Sequence, residues 1–121
     1  MENEITVTRK LKITDADIED IMSSALEGGV NYWVEHITRP DGKHGEFWDQ
    51  ELTQGTGSLM FRVVGRTYTL TKDNFLTGLA KYLENPLYDC IDGNKIDPGN
   101  IDAECADMIV QYALFGGLVY G

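Results

Sequence analysis

Apolar and polar positions along the chain switch between two periods, and the switches mark its elements. Ile5, Val7, Leu11 and Ile13 alternate with polar residues, the period-2 pattern of a half-buried strand. From there the period lengthens. Ile18, Ile21, Met22, Ala25 and Leu26 recur at the spacing that places them on one face of a helix. Thr14 reads as its N-cap, and Asp15 and Asp17 suit the positive end of the helix dipole. Gly28 and Gly29 read as its stop, where the chain takes a left-handed turn.

Residues 31–38 (NYWVEHIT) fit either a strand or a further helical turn, and Arg39-Pro40-Asp41-Gly42 has the composition of a turn. Residues 45–57 predict a loop with a short strand. Leu59, Phe61 and Val63 then restore period 2. Gly65-Arg66 suits a two-residue hairpin turn with glycine first, and residues 67–70 return as the partner strand. Thr71 caps a second helix with Phe75, Leu76, Leu79 and Leu83 facing inward, and Pro86 marks its end. Residues 85–100 are a turn-rich connection. Asp102 caps a last helix that runs into an apolar, glycine-punctuated tail. Such a tail has to be buried, in its own core or against another chain. Phe115, Leu118 and Val119 are the candidates for a homo-oligomer interface. The element order predicts an α+β fold, a small antiparallel sheet with three helices packed on it, as a single domain over residues 1–121.

Composition narrows the class. At 121 residues, 42% hydrophobic and 25% charged, the chain can bury a core without metal or disulfide. No apolar run approaches the roughly 18 residues of a membrane span, and the opening MENEITVTRK has no leader pattern. The expectation is a cytoplasmic protein. Its net charge of −10 argues against a binder of phosphate backbones, which clusters positive charge. Between Pro86 and Gly121 stand Asp89, Asp92, Asp97, Asp102, Glu104 and Asp107, opposed only by Lys95. They read as a solvated surface, or more sharply as an acidic patch that competes with nucleic acid for a basic groove. Cys90 and Cys105 read as free thiols, with Cys105 on a helix face turned to the core.

Motifs for chemistry are missing. The stretch from Asp92 superficially suggests a calcium loop, but Ile96, Asp97 and Ala103 stand at the positions that matter. His36 and His44 flank a turn without a nucleophile signature, and Gln54-Gly55-Thr56-Gly57 lacks the lysine and helix of a phosphate loop. The reading is therefore a protein that is not an enzyme and needs no cofactor or metal. Recognition remains. Asn31, Trp33, Gln111 and Tyr112 are candidates to line a small-molecule pocket, though Trp33 reads first as a core plug. Trp48, among Glu46, Asp49 and Gln50, reads as an exposed interface residue.

Three segments resemble a family of small acidic proteins of phages, prophages and mobile elements of Gram-positive bacteria. They are ITDADIEDIMSSALEGGVNYW, the hairpin-then-helix middle, and IDAECADMIVQYALFGGLVYG. The most specific pieces are Ala25-Leu26-Glu27-Gly28-Gly29 leading into Asn31-Tyr32-Trp33, and Gln111 to Gly116. The resemblance implies a host bacterial cytoplasm and action by stoichiometric binding, and it carries no catalytic residues across. One expectation is an inhibitor of a bacterial defence system, anti-CRISPR-like, using Trp48 and the six acids against a host protein with a basic surface. The alternatives are an oligomeric sponge for a nucleotide signal, with Arg39, Arg62, Arg66 and Lys72 as phosphate partners, or a structural or regulatory phage protein. None of these calls for direct nucleic-acid or membrane binding.

Overall fold

The computed structural model describes residues 2–8, 10–43 and 48–121. Among the described residues, three helices and two small antiparallel sheets surround one apolar core, the α+β class that the element order predicts. Helix α1 (Asp15–Ser24) starts on a reciprocal cap. Thr14 Oγ1 accepts from the Asp17 N–H, and the Asp17 carboxylate accepts from the Thr14 N–H. Ile18, Ile21 and Met22 are its buried face. The helix then widens into one π turn over Ala25–Gly29. The two glycines do not take the left-handed conformation expected of a stop. Gly29 is needed instead for close approach, since a Cβ there would lie 2.5 Å from the Ala103 carbonyl oxygen.

The three-stranded sheet has the order β1 (His36–Thr38), β2 (Ser58–Val63), β3 (Arg66–Thr71). Leu59, Phe61 and Val63 pack inward from β2, as their alternation predicts. The register pairs Val63 with Arg66, so the turn residues are Val64 and Gly65, one position earlier than the sequence suggests. Both have positive φ, 48° and 75°. Between β1 and β2 lie a turn at Arg39–Gly42 and a single 3-10 turn, Trp48–Gln50, with no strand among residues 48–57. His44 and Glu46 lie outside the described residues.

Helix α2 (Lys72–Leu83) repeats the reciprocal cap with Thr71 and Asn74. It crosses helix α3 (Ala103–Phe115) at Gly78, where a Cβ would stand 2.6 Å from the Ile109 carbonyl oxygen. Only glycine allows that contact. The connection between them folds a two-residue hairpin, β4 (Ile91–Asp92) and β5 (Lys95–Ile96), and a 3-10 turn capped by Asp97. The strand expected from Ile5 to Ile13 does not form among the described residues. Its one sheet contact is a parallel bridge of Lys12 to Lys95, and Ile5 and Val7 stay exposed. Alternation needs a partner edge to become a strand, and β5 is two residues long.

Candidate functional site

Helix α3 ends at Gly116, whose φ of +73° reverses the chain. The tail then runs back against the helix. Gln111 is fully buried and holds it there like a rung of a ladder. Its Oε1 accepts from the N–H groups of Val119 and Tyr120, both at 2.9 Å, and its Nε2 donates to the Tyr120 carbonyl at 3.2 Å. Tyr120 is thereby laid flat on Trp33, with ring centroids 5.4 Å apart and an interplanar angle of 2°. Phe115 meets Trp33, Tyr68 and Tyr120 edge-on. The apolar tail is thus partly consumed by its own core.

One turn earlier on α3, Asp107 faces the same cluster and is 6% exposed. Its Oδ1 accepts from Trp33 Nε1–H at 2.7 Å and from Gln111 Nε2–H at 2.9 Å, and its Oδ2 accepts from the Tyr32 hydroxyl at 2.6 Å. Every contact is a donor aimed at an acceptor, the pattern of a carboxylate. All three donors are neutral. The other buried acid among the described residues, Glu51, differs in this respect: beside the N–H and hydroxyl of Thr56 it has an ion pair with Arg39 at 3.4 Å. Asp107 has no cationic partner among the described residues. Burial and the bond to Asp107 push the Tyr32 phenol up to about 12, so it remains a donor.

Beside this network opens a cavity of about 530 Å³. Its polar side is Tyr32, Glu104 and Asp107. Its apolar side includes Leu87, Met108, Leu118 and Tyr120, and the small residues Gly28, Gly29 and Ala103 make room for it. Tyr32, Leu87 and Leu118 are also exposed, three of the eight large apolar or aromatic side chains left uncovered among the described residues.

Several residues singled out from the sequence sit elsewhere. Trp33 and Gln111 are buried in the network, whereas Asn31 is exposed outside it and Tyr112 is half-buried beyond the cavity lining. Of the six acids, Asp107 turns inward while Asp89, Asp92, Asp97, Asp102 and Glu104 are exposed. Three of the five hold backbone as well. Asp89 accepts from the Ile91 N–H, Asp97 from Gly99 and Asp102 from Cys105. The Cys105 N–H keeps the Asp102 carboxyl below the usual carboxylate range. Trp48 is half-buried against the core instead of fully exposed, because its 3-10 turn packs on α1. Phe115 is taken up by the aromatic cluster, and only Leu118 and Val119 of the expected oligomer surface remain exposed.

The sequence reading gave no role to Met108 and Tyr120, and took Tyr32 only as one of two aromatics that follow the helix stop. A usable signal was present in the spacing Asp107, Gln111, Phe115, an acid and an amide in line with an aromatic on one helical face. Cys90 and Cys105 are buried free thiols, and burial raises both above the ordinary thiol range, which keeps them protonated. No helix among the described residues is long and apolar enough to cross a membrane. Comparison with protein-family models, curated proteins and solved structures finds no match.

Proposed function

We propose that the protein is a non-enzymatic accessory protein of a phage or mobile element. It acts as a stoichiometric inhibitor, setting an acidic surface against the basic, nucleic-acid-handling groove of a host defence protein. The observation that carries this reading is the distribution of charge. Asp89, Asp92, Asp97, Asp102 and Glu104 are all exposed with Lys95 as the one opposing side chain in their segment. Of the cations elsewhere, Arg39 pairs with Asp41 and Glu51, Arg62 with Glu35, and Lys72 with Asp15. With Lys81 held by Glu84, four of the ten cations sit in ion pairs among the described residues, and acids outnumber cations twenty to ten. Such a surface repels phosphate and accelerates encounter with a basic partner.

The same facts weigh against the nucleotide sponge. None of Arg39, Arg62, Arg66 and Lys72 lines the cavity, whose own charges are carboxylates. Phosphates would meet like charge there.

The test is binding to a panel of purified bacterial nucleic-acid-guided nucleases, at low and at raised salt. The comparison is with a variant carrying Asp89→Asn, Asp92→Asn and Glu104→Gln. The amides keep the backbone-capping acceptor and remove only charge. At least one nuclease should bind, and its affinity should fall about tenfold or more with salt and with the variant. Binding to none, or binding indifferent to both changes, overturns the proposal.

A further inference from the structure

Asp107 is a buried carboxylate satisfied by three neutral donors, facing a cavity, with no counter-ion among the described residues. A buried charge of this kind leaves a standing negative potential in the space beside it, and low dielectric strengthens that potential. Glu104, one turn before Asp107 on α3, adds a second carboxylate to the same wall. The rest of the lining is largely apolar and aromatic. The site therefore combines negative charge with greasy surface.

We infer that this cavity receives an alkyl-guanidinium or alkyl-ammonium group, namely an arginine or lysine side chain presented by the protein partner. The head group pairs with Glu104 at the rim and lies in the field of Asp107. The methylene stem packs on Met108 and Leu118, as the long basic side chains commonly bury their stems. Tyr32 and Tyr120 line the same cavity, and an aromatic ring attracts a cation held near it. Exposed Leu87 and Leu118 beside the mouth supply the apolar rim that keeps water from the pair. The inference rests on the inhibitor reading, which supplies a partner with a basic surface, and it names where one basic side chain of that partner goes.

Trp33 makes the site observable, because its indole N–H is bonded to Asp107 Oδ1. The full-length protein is titrated with a capped Gly-Arg-Gly peptide while the indole N–H resonances are followed by NMR. Trp48, the only other tryptophan, is the internal control. The Trp33 resonance should move saturably and Trp48 should not. The citrulline peptide, of the same shape without the charge, should leave both unmoved. Glu104→Gln should weaken arginine-peptide binding about fivefold, the upper range for a rim ion pair. Gly28→Phe, at a lining position where a Cβ meets nothing within 4 Å, should block it. Spermidine tests the free-amine source, and should bind no more tightly than the peptide.

No saturable movement, equal binding of citrulline, or binding of spermidine alone overturns the inference. A nuclease that binds while the arginine peptide does not would sink the cavity assignment and leave the inhibitor reading standing. Peptide binding with no nuclease partner would do the reverse.

Discussion

Tyr32 shows how one side chain can be both exposed and committed. It is 59% exposed, yet its hydroxyl reaches a carboxylate across 75 positions of sequence. Desolvation first, then the Asp107 bond, raises its phenol from 10 to about 12. Because the folded value lies above the unfolded one, the stabilisation is fully present below pH 10 and is lost as pH climbs from 10 to 12. The expected outcome is a gap of about 1–2 kcal/mol between wild type and Tyr32→Phe at neutral pH, the net worth of a hydrogen bond to a carboxylate. The gap should close as pH rises toward 12, read by urea unfolding at a series of pH values. Tyr82 and the two thiols are also raised, chiefly by burial. They are common to both proteins and cancel in the difference. A constant gap across that range would mean the Tyr32–Asp107 bond is not made in solution. At this scale the sequence was legible where partners are local. Thr14, Thr71 and Asp102 cap helices three residues away and could be read as caps. Asp107 could not be placed, since two of its donors lie 74 and 75 residues off and a helical acid looks the same whether it faces water or a tryptophan.

Elements followed the same division between local and distant causes. The three helices and the β2–β3 hairpin were legible because capping and period are written in adjacent residues. The N-terminal strand failed because alternation describes a face, while pairing requires an edge that only the rest of the fold can supply. The hairpin turn failed by one residue for a different reason. A glycine-first turn is the natural choice for Gly65-Arg66, but the observed register puts Val64 in the first turn position at φ 48°. A β-branched residue is strained there, and asparagine-glycine is the preferred pair for two positive-φ positions. Val64 is also 76% exposed, so little packing is lost on replacing it. Val64→Asn should therefore stabilise the protein by about 1 kcal/mol, seen as a higher urea midpoint with an unchanged slope. An unchanged or lower midpoint would mean the side chain of Val64 makes a contact worth more than the strain.

For the whole molecule, the question is what covers the apolar rim around the cavity. A second copy was the expectation drawn from Phe115, Leu118 and Val119, but Phe115 is spent on Trp33, Tyr68 and Tyr120. Of the exposed apolar residues, Leu87, Leu118 and Tyr32 line the cavity together with Glu104 and Asp107. A two-fold interface brings each patch against its own copy, so both copies' carboxylates would be gathered into one interface, between two chains each of charge −10. Like charges brought together in this way cost several kcal/mol. A basic partner meets the same patch with opposite sign. Sedimentation at low salt, where repulsion is least screened, should therefore give a monomer of 13.5 kDa. Leu118→Asp should then leave mass and unfolding midpoint nearly unchanged while weakening partner binding. A low-salt dimer that Leu118→Asp dissolves would instead return the rim to self-association. The cavity between the copies would then have to be filled by something other than a partner's arginine.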